Sequence, residues 1–199
     1  MVGRNRVDER VTVLGLLLAA GQGARMGRPK ALVRGADGVP WSVASRQALV
    51  DAGCDRVVVV LGAEAAAAAE LLGGHDHVVA PDWSEGMSAS LRAGLRVAEE
   101  GDHAAVLIHL VDLPDVGADV MTRLLTHAAP DALVRASYDQ RPGHPVLIGR
   151  DHWAALAAEL DGDDGARHYL ARHGTTLVEC ADLATGVDID TPEGCGTTP

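Results

Sequence analysis

The chain has 199 residues, 47% of them hydrophobic, and 17 basic against 28 acidic side chains leave a formal charge of −11. That is material for one domain with a substantial core, and the acidic balance argues against nucleic acid or an anionic membrane as the main partner, since both reward basic surface. No run approaches the roughly 20 apolar residues that span a bilayer, the first ten residues lead into no signal-type segment, and three cysteines without a CxxC spacing suggest neither disulfides nor zinc, so a cytoplasmic protein is expected.

Short β-branched runs alternate with Ala/Leu-rich stretches of helical spacing, the pattern of βαβ units. In chain order the sequence predicts a buried strand from Val11 to Ala19, a helix from Val39 to Ala52 stopped by Gly53, a strand from Arg56 to Leu61, and an alanine-driven helix from Ala63 to Leu72 closed by Gly73 and Gly74. A short strand from His77 to Ala80 follows, then a helix from Ser88 to Glu100 with Ser88 as N-cap, a strand from Ala104 to Leu110 and a helix from Ala118 to Ala128. Strands from Ala132 to Tyr138 and from Pro145 to Ile148 are predicted on either side of a turn at Arg141-Pro142-Gly143. Helices from Asp151 to Leu160 and from Ala166 to His173, and a strand from Thr176 to Cys180, complete the set. The expectation is a single doubly wound, Rossmann-like three-layer α/β domain over residues 11–193 with a mostly parallel, mixed sheet, and with flexible ends at 1–10 and 194–199.

The first strand runs into Leu18-Ala19-Ala20-Gly21-Gln22-Gly23-Ala24-Arg25-Met26-Gly27-Arg28-Pro29-Lys30. A glycine-rich loop at that place lets backbone N–H groups converge on phosphate without Cβ obstruction. The dinucleotide fingerprint would need glycine where Met26 stands and an acidic residue after the second strand, and a P-loop would not have Lys30 between Pro29 and Ala31. Sixteen of the 17 cations are arginine and only Lys30 is lysine, a compact point charge well suited to a phosphate. With Arg25 it can stand over a triphosphate whose leaving pyrophosphate gains charge during transfer.

Asp112 ends the fourth predicted strand in the same rim, where a carboxylate can hold Mg²⁺ between phosphates. It reads equally as a turn aspartate before Leu113-Pro114. In an extended segment Asp188 and Asp190 point the same way, and two such carboxylates call for a cation or donors between them. The plainer alternative is a capping motif with Thr191-Pro192 opening a short helix. His109 is expected to be a half-buried packing residue, His75 and His77 to lie in a polar turn, and His127, His152, His168 and His173 to be on the surface.

The string LAAGxGxRMGxPK resembles the signature of the MobA/MocA-like nucleotidyltransferases. Pro81-Asp82-Trp83-Ser84-Glu85-Gly86-Met87-Ser88-Ala89-Ser90-Leu91, Arg141-Pro142-Gly143-His144-Pro145-Val146 and Gly162-Asp163-Asp164-Gly165-Ala166-Arg167 resemble the MocA-type CTP:molybdopterin cytidylyltransferases, so that the likeness extends over residues 14–193. This resemblance implies a nucleotide-diphospho-sugar transferase fold and transfer of CMP from CTP to the terminal phosphate of molybdopterin, with pyrophosphate leaving. It further implies catalytic roles for Arg25, Lys30 and Asp112 and nucleotide contacts from Leu18, Ala19, Ala20, Gly21, Gly23, Glu85, Gly86, Ser88 and Ser90. Mg²⁺ would be held by Asp112 with Asp188 or Asp190, Asp188 being preferred, and the acceptor would meet Gly143, His144 and Pro145. A molybdenum hydroxylase would receive the product. Ser88 reads equally as a plain N-cap and His144 as an exposed turn histidine.

Ala20 in the LAAG string favours CTP over guanylyl transfer. Two departures from the resembled pattern leave room for another substrate. Val111 stands where relatives carry glycine, and Gly194 to Pro199 follow where relatives continue into a closing helix. The alternatives are an NTP transferase with a sugar phosphate acceptor or guanylyl transfer, a non-catalytic cofactor-binding relative, and a nicotinamide-binding oxidoreductase, which Met26 disfavours.

Overall fold

The computed structural model describes residues 11–191. In chain order the elements are β1 (Val13–Ala19), α1 (Trp41–Asp51), β2 (Arg56–Leu61), α2 (Ala65–Leu72), β3 (His77–Val79), α3 (Met87–Glu99), β4 (Ala105–Leu110), α4 (Ala118–Leu125), β5 (Leu133–Tyr138), β6 (Arg141–Gly149), α5 (Trp153–Glu159), α6 (Arg167–Arg172) and β7 (Thr176–Glu179). Short 3₁₀ turns lie at Lys30–Leu32, Trp83–Glu85 and Arg150–His152. The expected ends at 1–10 and 194–199, Cys195 among them, lie outside the described residues.

The seven strands form one sheet in the order β3-β2-β1-β4-β6-β5-β7. β1 pairs in parallel with β2 and β4, and β2 in parallel with β3. β6 runs antiparallel to both β4 and β5, and β7 returns parallel to β5, so the sheet is mixed as expected. The continuous apolar run of β1 follows from its place, since a central parallel strand is covered on both faces and all seven of its residues are buried. Leu17, Val59 and Leu107 meet α1, α2 and α4 on one side. Leu16, Val60 and Ile108 meet α3, α5 and α6 on the other, which gives three layers. The strand order changes direction between β1 and β4, and ligands of such sheets bind outside the carboxyl ends of the strands at that point. Among the described residues no helix is long and apolar enough to cross a membrane.

Two local expectations are corrected. The hairpin between β5 and β6 turns at Asp139 and Gln140, both with positive φ (50° and 65°), so Arg141-Pro142-Gly143 is strand and not turn. A two-residue turn of this hand needs two left-handed residues and usually recruits Asn-Gly. Here the strain is offset from β7: Glu179 Oε1 accepts the Asp139 N–H (3.0 Å), and its Oε2 accepts the Gln140 N–H (3.1 Å) and the Ser137 hydroxyl (2.9 Å). Prolines 142 and 145 are tolerated because β4 pairs only with Val146 to Gly149 of β6. His152, expected on the surface, lies against the Tyr169 hydroxyl (2.9 Å) and helps seat α6.

Candidate active site

A cleft of about 480 Å³ opens at the carboxyl ends of β1 and β4. Of the residues expected to meet the nucleotide, Leu18, Ala19, Ala20, Gly21, Gly23, Arg25, Lys30, Gly86 and Ser90 line it, together with Asp112 and Asp190. Gly23 has φ +60° and no room for a Cβ against the Arg28 carbonyl, so the loop closes tightly only with glycine there. Met26, which replaces the glycine of a dinucleotide loop, is buried in the core and clamps the loop from beneath.

Pro29 precedes the 3₁₀ turn that starts at Lys30. The Lys30 ammonium, only 14% exposed, donates to Asp112 Oδ2 (2.8 Å) and to Asp190 Oδ1 (2.5 Å). Burial pulls the Lys30 pKa down, but the two carboxylates outweigh it and raise it, so the group stays charged. Arg25, largely exposed, reaches Asp190 Oδ2 (2.7 Å). The Lys30 hydrogen bond, then the Lys30 and Arg25 charges, hold the Asp190 carboxyl below the usual aspartate range.

The segment that carries Asp190 has no regular secondary structure and is tied down at named points. The Ile189 N–H donates to the Asp112 carbonyl oxygen (2.9 Å), and the Thr185 N–H and hydroxyl both donate to Asp115 Oδ2 (2.7 and 2.5 Å). Asp188 lies beside Asp190, as alternation expects, but it lines an adjoining cavity with Tyr138 and Gly143. The structure therefore places Asp190, and not the preferred Asp188, on Lys30.

Asp112 Oδ1 is buried and lacks a hydrogen-bond partner among the described residues. Two converging carboxylates with one orphaned oxygen, facing a glycine loop, fit a hard divalent cation, which takes one or two carboxylates and fills its shell from phosphates and water. Among the described residues no group of three His, Cys, Asp or Glu side chains is placed to hold a metal ion, so the phosphates would supply the rest of the shell. Val111, where glycine was expected, turns into the core and forms part of the cleft wall.

The opposite wall is the turn Trp83–Glu85 and the start of α3. Gly86 has φ +120°, and a Cβ there would strike the Gly162 backbone and the Asp163 carboxylate. Gly86→Ala is accordingly expected to cost about 2–4 kcal/mol, a fall in Tm of roughly 5–10 °C by thermal unfolding. Two of the residues expected here face elsewhere. Ser88 is not an N-cap: its hydroxyl donates to the Asp161 carbonyl (2.8 Å) and accepts the Gly165 N–H (3.2 Å), which binds α3 to the 161–165 loop. Glu85 is exposed and outside the cleft lining. Trp83 and Asp163 line the cleft without having been singled out, and the signal was their place in the PDWSEGM and GDDGAR strings.

The expected acceptor residues diverge. Gly143 lines the adjoining cavity and its carbonyl accepts from Arg135 Nε (2.7 Å). Pro145 is buried after a cis peptide bond. His144 is no turn residue but part of β6, and its side chain lines a chamber of about 50 Å³ that meets the cleft at Leu18 and Met87. Burial first, then Arg135 and His109, push its pKa down to about 3.

His109, expected half-buried, is fully enclosed and neither ring nitrogen has a hydrogen-bond partner; burial pushes its pKa down to about 4. Both imidazoles are neutral in the fold but take a proton near pH 6.5 when unfolded, so their stability contribution is present at neutral pH and lost as pH falls through 6.5 toward 3–4. His109→Leu is expected to remove about 2–3 kcal/mol of that loss at pH 4.5, read as a smaller shift of the urea midpoint between pH 7 and 4.5.

The profile of the MobA-like NTP transferase domain matches residues 15–177. The chain is 39% identical to the nicotine blue oxidoreductase of Paenarthrobacter nicotinovorans over 193 residues, 91% of this chain and 93% of that one. Rv0371c of Mycobacterium tuberculosis H37Rv, solved in complex with manganese, is similar at a TM-score of 0.72 and 26% identity, over 89% of this chain and 94% of that one. A nucleotidyl transferase from Methanothermobacter thermautotroptrophicus shares the fold at a TM-score of 0.79 and 23% identity, over 92% and 94% of the two chains.

Proposed function

The chain belongs to the family of MobA-like NTP transferase domains and is a nucleotidyltransferase, and from that premise we propose that it transfers CMP from CTP to the terminal phosphate of a molybdopterin-type acceptor. The observation that supports this best is the lone lysine of the chain, held by Asp112 and Asp190 at the mouth of the glycine loop. An acceptor phosphate oxygen forms a bond to the α-phosphorus, the bond from that phosphorus to the bridging oxygen breaks, and pyrophosphate leaves with the electron pair. No protein nucleophile is needed.

The loop amides at Gly21 and Gly23 bind the phosphates, Arg25 and Lys30 neutralise charge on the departing pyrophosphate, and the cleft walls orient the sugar and base. Asp112 and Asp190 would hold Mg²⁺, which when bound supplies charge neutralisation at the phosphates. A molybdenum hydroxylase as receiver of the product belongs to the same proposal. Pyrophosphate release measured with each of the four NTPs, with and without molybdopterin, tests it. Release with CTP and molybdopterin alone is expected, and release with a sugar phosphate or with GTP would move the assignment to that acceptor or base.

The relative named nicotine blue oxidoreductase favours a second reading, in which the same cleft takes the nucleotide end of a reduced nicotinamide cofactor and a hydride passes from it to the dye nicotine blue. Loss of nicotinamide absorbance that depends on both dye and protein, with no pyrophosphate release under any nucleotide, would establish that reading in place of the first.

A further inference from the structure

Two arginines face the small chamber beside the cleft, and neither makes an ion pair with a carboxylate among the described residues. Arg135 on β5 is half-buried, and its Nε bond to the Gly143 carbonyl (2.7 Å) fixes the guanidinium plane while leaving both terminal nitrogens without a hydrogen-bond partner among the described residues. Arg167, at the start of α6, makes no side-chain hydrogen bond or ion pair among the described residues. Asp164, which also lines the chamber, accepts from His168 Nε2 (3.1 Å) and pairs with neither arginine among the described residues. Much of the remaining wall is apolar, from Leu91, Ile108, Val146 and Leu170. Burial, then the Arg167 charge, lowers the pKa of Arg135. Such a pair is stabilised by an anion, and paired guanidinium forks suit phosphate oxygens bidentately.

We propose that Arg135, Arg167 and His144 form a second anion subsite that takes a phosphate monoester of the acceptor, beside the triphosphate subsite of the glycine loop and Lys30. The identity of the occupant as acceptor rests on the nucleotidyl-transfer reading, whereas the affinity for an anion does not. The two subsites adjoin at Leu18 and Met87, so two anionic reactants can be held side by side with the charge of each separately neutralised.

Calorimetric titration of the full chain with inorganic phosphate and with glycerol 3-phosphate, and separately with CTP, tests the subsite. Arg167→Met, an exposed position that leaves folding intact, and Arg135→Met are expected to weaken both phosphate probes at least tenfold with CTP affinity unchanged. Lys30→Ala should weaken CTP and keep the phosphate probes. Arg135→Lys, with an unchanged thermal melt, controls for misfolding of the Arg135 variants. Phosphate binding that survives in Arg167→Met, or that disappears with Lys30→Ala alone, overturns the subsite. In turnover, Arg167→Met should raise the acceptor KM at least tenfold and leave the CTP KM alone. Phosphate bound by the arginines with no pyrophosphate released from any nucleotide would overturn the transfer reading and leave the anion subsite standing, whereas transfer with an acceptor KM unchanged in Arg167→Met would overturn the acceptor as its occupant and leave the transfer reading standing.

Discussion

Lys30→Ala is expected to lower kcat/KM for pyrophosphate release by roughly 10²–10³, the usual loss when one positioned charge facing a developing anion is removed. The ammonium stands between Asp112 and Asp190, carboxylates 82 and 160 residues away in the chain. Its removal leaves two partly buried carboxylates facing each other, so stability should also fall, by about 1–3 kcal/mol once their partial exposure is allowed for. Lys30→Arg is expected to restore most of the stability and little of the rate, because a planar fork cannot replace a point charge placed between two carboxylates and a phosphate. Pyrophosphate release and thermal melting on the same preparations separate the two effects. Undiminished turnover by a folded Lys30→Ala protein would remove the lysine from the chemistry.

Asp112→Asn and Asp190→Asn should each cut metal-stimulated turnover by about 10²-fold or more, while Asp188→Asn leaves it within a few-fold. Asp112 and Asp190 both line the cleft and share Lys30, whereas Asp188 lines another cavity. Direct Mn²⁺ binding by electron paramagnetic resonance, beside Mg²⁺ titration of turnover, is the measurement. Loss of Mn²⁺ in Asp188→Asn but not in Asp190→Asn would shift the metal to the other aspartate. Since Lys30 and Arg25 hold the Asp190 carboxyl below its usual range, that carboxylate stays ionised through neutral pH, and the acid loss of metal that depends on it should come below about pH 4.

Legibility in the sequence followed the range of the forces involved. The glycine loop was legible because the tight turn at Gly23, with positive φ and its Cβ position against the Arg28 carbonyl, is made by residues close in the chain, whereas the need for glycine at 86 comes from Gly162 and Asp163 and was not. The turn at Asp139 and Gln140 was not legible either, because neither residue announces a left-handed pair and the carboxylate that supports them belongs to Glu179 on β7. Ser88 carries the local mark of an N-cap, yet its hydroxyl is taken by groups 73 and 77 residues away. The split of Gly143, His144 and Pro145 among a cavity, a chamber and the core likewise depends on packing against Tyr138 and Arg135, which no local pattern encodes.

From the sequence alone came the alternation of strands and helices, the glycine loop, its single lysine and the two candidate acidic segments, all set by periodicity and by what glycine and lysine do locally. Only the tertiary structure decided that β6 runs antiparallel to β4, that Asp190 is the aspartate on Lys30, and that Arg135 and Arg167 line one chamber. The reason is physical. Backbone conformation responds to adjacent residues, whereas ion pairs and cavities are made by groups that meet only after the chain has closed.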